Sequence, residues 1–220
     1  MKKFLWENGL TIALLTIFLG TVIGQTLTGR LEYNNERATH RVLPVSLGQY
    51  LGSGHFQEAL FENWESEFLQ MAAFVVLTMF LRQRGSSESK KLSGRGPVDA
   101  DPRRAKNNRS PWPVRKGGWI LRVYEHSLSM ALIGLFLFSF AMHAHGGARD
   151  QIENALQHGE RPVSSVTEYV TTSRFWFESF QNWQSEFLSV AVLVVLSIYL
   201  RQRGSPQSKP VAAPHGETED

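Results

Sequence analysis

The sequence predicts an all-α fold: an integral membrane four-helix bundle made from two tandem parallel two-span repeats. Three observations predict it: four segregated apolar runs, an internal duplication, and an uneven distribution of cations. The chain has 220 residues, of which 42% are hydrophobic and 20% charged, with a formal net charge of +3. A mean hydropathy of −0.21 is typical of a soluble protein. The apolar residues are nevertheless collected into runs with the charges between them, which is typical of membrane spans.

Four apolar runs are candidate membrane spans. About 20 helical residues, rising about 1.5 Å each, match a hydrocarbon core of about 30 Å. The second and fourth runs are short, but each begins with Trp and ends in "RQRG". Such flanks supply an aromatic anchor at one interface and snorkelling arginines at the other. We therefore expect four spans, at residues 9–29, 64–81, 119–144 and 183–200.

The first run has an alternative interpretation as a secretory signal, because Lys2 and Lys3 provide a basic start. Trp6 and Glu7 interrupt the basic region, however, and no A-x-A-type cleavage site follows the apolar stretch. The equivalent run of the second repeat lies in the middle of the chain. A membrane span is therefore the favoured interpretation.

The duplication is visible in two nearly identical stretches. "FENWESEFLQMAAFVVLTMFLRQRG" begins at Phe61, and "FQNWQSEFLSVAVLVVLSIYLRQRG" begins at Phe180. The earlier spans also correspond, with Gly29 opposite Gly147. This pattern indicates a two-span unit used twice. It predicts repeats at 1–85 and 119–204, a basic flexible linker at 86–118, and a disordered tail at 205–220.

The cations predict the orientation in the membrane. Seventeen of the 23 Lys and Arg residues lie in the amino-terminal segment, the central segment and the tail. By the positive-inside rule these parts are cytoplasmic, so we expect both termini on the cytoplasmic side of the membrane. We expect the linker to contact anionic headgroups, each cation contributing about 1 kcal/mol. Few aromatic residues are interleaved with the linker cations, so a nucleic acid is not expected as a partner.

Each "NW(Q/E)SEFL" motif places a glutamate three residues after the Trp, which gives the pair Glu67 and Glu186. The first hypothesis is a helix start, because a helix amino terminus favours a carboxylate and Asn or Ser can cap it. The residues of this helix-start motif are Asn63, Trp64, Ser66, Asn182, Trp183 and Ser185. The second hypothesis is an ion or proton site, formed if the two carboxylates face each other.

The remaining motifs point to packing rather than to chemistry. Gly20 and Gly24 have the GxxxG spacing that permits close helix packing. His143 and His145 lie two residues apart, so a helix directs their rings differently, and metal binding is the less favoured interpretation. No catalytic motif and no cofactor motif is recognised. The aromatic-rich segments before the second and fourth runs are expected to lie in the headgroup layer or to fold inward.

The duplicated "NW(Q/E)SEFL…LRQRGS" sequence resembles a family of small bacterial four-span inner-membrane proteins of unknown function. The resemblance covers both repeats and implies a four-span membrane protein, but it implies no activity. We expect a non-enzymatic protein with an envelope structural or stress-related role, associating with itself or with another membrane protein. The alternative is a small proton or cation transporter that uses Glu67 and Glu186.

Overall fold

The computed structural model describes residues 2–94, 96–104 and 107–218. Within these ranges the protein is all-helical and has no β-strand. The α-helices are α1 (Lys2–Thr39), α2 (Leu47–Leu51), α3 (Gly54–Phe80), α4 (Trp112–Lys116), α5 (Gly118–Glu125), α6 (Ser127–His158), α7 (Val166–Val170) and α8 (Ser173–Tyr199), with a 3₁₀ turn at Pro97–Asp99. The first of two compact units comprises Met1–Phe61 and Ala141–Phe175, and the second comprises Glu62–Phe140 and Trp176–Asp220.

Three of the described helices are long and apolar enough to cross a membrane, namely α1, α6 and α8. Their large apolar side chains are widely exposed, as at Leu10 (76%) and Phe177 (68%). Exposure on this scale suits a lipid environment, because contiguous apolar surface is rare on soluble monomers. Helix α3 is not among the three, since Glu62, Glu65 and Glu67 lower the hydropathy of its middle turns.

The helices that carry the duplicated motif begin earlier than expected. Ser53 Oγ accepts a hydrogen bond from the Phe56 N–H (3.2 Å) at the start of α3. Thr172 Oγ1 accepts one from the Phe175 N–H (3.3 Å) at the start of α8. Hydroxyl groups satisfy the free N–H groups of a helix start in this way. The helix-start interpretation of the "NW(Q/E)SEFL" motifs is therefore wrong.

All six residues assigned to that motif lie inside the long helices, at least nine residues after the residue at which the helix begins. They are Asn63, Trp64 and Ser66 in α3, and Asn182, Trp183 and Ser185 in α8. The polar groups of Ser66, Asn182 and Ser185 bond within their own helices. Asn182 Nδ2 donates to the Glu178 carbonyl (3.1 Å), and Ser185 Oγ donates to the Asn182 carbonyl (2.8 Å).

The aromatic-rich segment before the fourth run also differs from expectation. Phe175, Trp176, Phe180 and Trp183 belong to the first turns of α8, which continues unbroken to Tyr199. A separate helix lying in the headgroup layer is therefore not present there. Trp176 and Phe180 contact each other, with ring centroids 5.5 Å apart, as do Phe180 and Trp183. The aromatic residues form a stack along one helix.

Glycines permit close packing in the first unit. A Cβ atom at Gly54 would overlap the backbone of α6 near Asp150, and one at Gly146 would overlap the backbone of Glu58. The amino-terminal turns of α3 thus contact α6 backbone against backbone. Gly147 provides room for the ring of Tyr169 in the same way. The "HAHGG" sequence is therefore explained by packing, because only glycine permits such approach.

In the second unit the segments after α3 and α8 adopt matching turns. Gly85 (φ 83°) and Gly204 (φ 85°) both have the left-handed conformation that favours glycine. The Gln83 N–H donates to Ser89 Oγ and the Gln202 N–H donates to Ser208 Oγ, each at 2.8 Å. Lys209 is 1% exposed and donates hydrogen bonds to the carbonyls of Pro214, His215 and Glu217. Residues 205–218 therefore have defined internal contacts.

Candidate functional site

A buried ionic network in the first unit is the most concentrated polar site that the structure describes. Glu58 and Asp150 are only 6% and 4% exposed. Arg174 Nη2 lies 3.1 Å from Glu58 Oε1 and 3.1 Å from Asp150 Oδ2. Tyr169 Oη donates to Glu58 Oε1 at 2.9 Å, and Asn154 Nδ2 donates to Asp150 Oδ2 at 2.8 Å. The buried carboxylates are thus both paired and hydrogen-bonded, as burial of charge requires.

Local structure positions each member of the network. Tyr169 lies on the short helix α7, whose start is capped by Ser165 Oγ accepting from the Glu168 N–H. Arg174 is the second residue of α8, directly after the Thr172 cap. Glu58 lies on the second turn of α3. Four helices, α3, α6, α7 and α8, thereby contribute one polar group or more to one buried cluster.

His143 adjoins this network from α6. Its ring is fully buried and stacks on Phe175, with centroids 4.8 Å apart and an interplanar angle of 29°. One ring nitrogen lies within 4.8 Å of a carboxylate oxygen of Glu58. His145, two residues later, is exposed. The two rings are therefore directed differently, as the helical spacing predicts.

A second polar cluster in the first unit surrounds Tyr33. Arg37 forms an ion pair with Glu153, and its guanidinium lies over the Tyr33 ring at 5.4 Å. Tyr33 contacts Tyr50, with ring centroids 5.6 Å apart. Burial of Tyr50, followed by the negative charge of Asp150, raises the pKa of this phenol above its ordinary value. The phenol is therefore held neutral over the physiological pH range.

The predicted pair Glu67 and Glu186 lies in the second unit. Glu67 is exposed and Glu186 is half-buried, each in the middle of a 27-residue helix. The negative charge of Glu67 acts electrostatically on Glu186. The buried carboxylate is instead Glu65, which is 0% exposed and accepts a hydrogen bond from Trp183 Nε1 at 3.0 Å.

Gly20 and Gly24, which were predicted to permit close helix packing, do not contact another of the described helices. A Cβ atom at Gly20 or Gly24 would meet no other atom within 4 Å among the residues described. The small face of α1 is therefore not covered by another helix of the chain in the described ranges, and close packing there needs a different molecule.

A family model described as a domain of unknown function, DUF6766, matches residues 1–220. The chain belongs to this family. No curated protein and no solved structure matches it. The match extends over the whole chain of this DUF6766 protein, so both units belong to the family domain.

Sequence reasoning on this DUF6766 protein missed the buried network because it concentrated on residues shared by both repeats. Glu58, Glu65 and Arg174 are opposite Phe177, Gln184 and His55 at the same offset of 119 residues. One signal was available in the sequence. Arg37, Arg149 and Arg174 lie between candidate spans, away from the cation-rich segments, and such isolated cations need another explanation than topology.

All three of these arginines have polar partners in the first unit. Arg37 and Arg174 bind carboxylates, and Arg149 Nη2 donates to the Gly52 carbonyl at 2.8 Å. These three cations, which lie outside the cation-rich segments, thus mark tertiary contacts of the first unit.

Proposed function

We propose that this DUF6766 protein is a non-enzymatic, multi-pass protein of a bacterial inner membrane with an envelope structural or stress-related role. The buried Glu58–Arg174–Asp150 network carries the proposal. Its charged groups are paired with one another and bound by Tyr169 and Asn154, an arrangement that fixes helices to each other. The hydroxyl that donates to a carboxylate in this network belongs to Tyr169, which is 0% exposed, so this bond serves the contact between helices rather than a substrate.

Matching local geometry supports two tandem parallel repeats. Tyr50 Oη lies where a Cβ of Gly29 would be, and Tyr169 Oη lies where a Cβ of Gly147 would be. The short helices α2 and α7 each begin at a serine cap, Ser46 and Ser165. The long helices that follow both have 27 residues. One two-helix plan used twice explains all three correspondences.

We further propose that α3 is the fourth span. Its 27 residues extend about 40 Å, which exceeds the hydrocarbon core of about 30 Å. The residues from Phe68 to Phe80 include no charge, and "RQRG" follows. With four spans, the termini and the cation-rich central segment are cytoplasmic. Anionic headgroups are then the partners of that segment, and the open face of Gly20 and Gly24 is available to a second copy or another membrane protein.

Cysteine labelling tests this topology directly, because the natural sequence contains no cysteine. Single cysteines replace Ser93 in the central segment, Thr167 on α7 and Ala212 in the tail. Intact cells are treated with a membrane-impermeant maleimide before and after permeabilisation. We expect Thr167→Cys to be labelled in intact cells, and Ser93→Cys and Ala212→Cys only after permeabilisation.

A three-span protein with the same cytoplasmic amino terminus gives a different pattern. If α3 does not cross the membrane, the central segment and the amino terminus lie on opposite sides, and so do the two termini. Labelling of Ser93→Cys and Ala212→Cys in intact cells would therefore overturn the four-span proposal. Labelling of Thr167→Cys alone supports it.

Proton or cation transport is a second candidate function, favoured by the electrostatic effect of Glu67 on Glu186. In proteoliposomes, wild-type protein should then dissipate an imposed ion gradient, and the double variant Glu67→Gln/Glu186→Gln should not. Glu168→Gln is the control, since Glu168 lies on α7 outside the long helices. Absence of flux with wild-type protein excludes transport and leaves the structural role.

A further inference from the structure

Two histidines meet at the ends of α1 and α6 in the first unit. The rings of His40 and His158 contact each other edge to face, with centroids 4.5 Å apart and an interplanar angle of 71°. His40 is partly exposed and His158 is exposed. The positions are 118 residues apart, the same offset that relates Gly29 to Gly147. Equivalent residues of the two proposed repeats thus form one pair.

The backbone presents both rings in the same way. A left-handed residue follows each histidine, Arg41 (φ 58°) and Gly159 (φ 69°). The Val42 N–H donates to the Arg37 carbonyl at 2.9 Å, and the Glu160 N–H donates to the Ala155 carbonyl at 2.8 Å. These bonds close both helix ends by the same six-to-one pattern, which satisfies free carbonyls. Both imidazoles are therefore carried by defined backbone rather than by free loops.

The tautomer of one ring is fixed. His158 Nδ1 lies 2.8 Å from the Asn154 carbonyl oxygen, which only accepts hydrogen bonds, so Nδ1 carries the hydrogen. In the neutral ring the lone pair is then on Nε2. Histidines that bind metals usually donate their other N–H to a carbonyl or carboxylate, because this orients the ring and makes it a better ligand.

The surroundings leave access for a hydrated cation. Arg37, three residues before His40, is ion-paired with Glu153. Glu36 lies one helical turn before His40 and its side chain is exposed. A groove of about 530 Å³ is lined in part by Val42 and Gln157. In the sequence, Val42 lies two residues after His40, and Gln157 lies one residue before His158. The exposed side of the histidine pair is therefore open to water and to a hydrated cation.

We propose that His40 and His158 bind a divalent transition-metal cation of the zinc, nickel or copper class. Imidazole nitrogens suit these ions, whereas Mg²⁺ and Ca²⁺ prefer oxygen ligands. The bound ion links the ends of α1 and α6. The site rests on the proposed function in one respect, since the four-span topology places it on the extracytoplasmic side, where it samples external metal.

The test uses the full chain, purified in detergent and stripped of metal with a chelator. Calorimetry with Zn²⁺ and Ni²⁺ is expected to show one equivalent bound, and Mg²⁺ none. His40→Ala and His158→Ala should each weaken binding at least about tenfold, because even loss of an outer ligand partner costs that much. His145→Ala and His215→Ala, both at exposed histidines, are the matched controls.

Unchanged affinity in both His40→Ala and His158→Ala overturns the proposal, as does loss of binding in His145→Ala or His215→Ala alone. The thermal unfolding of each variant without metal confirms that it folds, which is expected because both rings are on the surface. The measurement is made in detergent and is independent of the cysteine labelling. Failure of the metal site and failure of the topology are therefore distinguishable.

Discussion

At the scale of single residues, Arg174 is the member of the buried network that joins its two carboxylates. Its guanidinium contacts Glu58 and Asp150, both of which are almost completely buried. An ion pair of this kind adds little stability relative to an apolar replacement of the whole group. Removal of one member is costly, however, because it leaves an uncompensated buried charge.

We therefore predict that Arg174→Ala lowers the free energy of unfolding by about 3 kcal/mol. The measurement is unfolding of the detergent-solubilised protein, followed by circular dichroism. Arg161→Ala is the control, since Arg161 is an exposed arginine of the segment between α6 and α7. Equal stability of the two variants would show that Arg174 does not hold the network together.

At the scale of helices, small residues decide how closely two elements approach. Tyr169 Oη occupies the space in which a Cβ at Gly147 would lie, and Tyr50 Oη has the same relation to Gly29. Gly20 lies in the same helix as Gly29, but its surroundings are open. A Gly→Ala substitution is therefore expected to change the stability of the protein in opposite directions at different glycines.

Gly147→Ala is expected to destabilise the protein by about 1–3 kcal/mol, because overpacking displaces the Tyr169 ring from Glu58. Gly20→Ala should be neutral or stabilising by up to about 1 kcal/mol, since alanine is the better helix former. Thermal unfolding of both variants checks the difference. If Gly147→Ala is as stable as Gly20→Ala, the contact between Tyr169 and Gly147 does not exist in solution.

The start of α7 makes a pH-dependent contribution. Hydrogen bonds from the Ser164 side chain and N–H hold the pKa of Glu168 below its ordinary value, with a smaller effect of Arg161. A carboxylate whose pKa is lower in the folded state stabilises the fold at pH values above the ordinary carboxyl pKa. This stabilisation is lost as the pH falls through the lowered pKa.

Ser164→Ala should therefore reduce protection of the α7 amides from hydrogen exchange at pH 7 and have no effect at a pH below both pKa values of Glu168. The exchange of α2, which is capped by Ser46, provides the internal reference. A Ser164→Ala effect that is the same at both pH values would contradict a role of the Glu168 charge.

At the scale of the whole molecule, the tail has more structure than its composition indicates. Lys209 is buried and donates to three carbonyls of residues 214–217, and Ser87 Oγ donates to the Gln207 carbonyl at 3.2 Å. The disorder expected for residues 205–220 therefore stays a prediction to be measured against these contacts.

Lys209→Met keeps the length of the side chain but removes its donors. We expect protease cleavage within residues 205–218 to become at least several-fold faster, since local opening then costs less free energy. Arg203→Met, at an exposed cation of the same segment, should not change the rate. Rapid cleavage of the wild-type tail at the rate of Lys209→Met would indicate the disorder that the composition predicts.

Most of the helical architecture could be predicted from the sequence. The apolar runs at 9–29 and 183–200 correspond to α1 and α8, because hydrophobicity and length are local properties. The run at 119–144 is divided at His126, so that its first residues form α5 and the rest belong to α6. The helix starts could not be predicted from the "NW(Q/E)SEFL" motif, since Asn, Ser and Glu favour a cap but also occur inside helices. Ser53 and Thr172 are the caps, nine or more residues earlier.

The residues of the candidate site, unlike the helices, could not be predicted from the sequence. Glu67 and Glu186 were found by repetition, yet the buried carboxylates are Glu58, Glu65 and Asp150. Burial depends on which residues of other helices surround a side chain, and a single sequence does not contain that information.

By itself the sequence determined the helical class, the apolar runs that the three membrane-length helices contain, and the positions of the charge-rich segments. These follow from hydrophobicity, length and composition along one stretch of chain. Only the tertiary structure decided that Arg174 bridges Glu58 and Asp150, that Tyr169 lies over Gly147, and that His40 meets His158. Each of these contacts joins residues that are far apart in the sequence, so it depends on how the elements pack and not on any one stretch of chain. In the buried network, packing also removes polar groups from water, and these groups must then find partners.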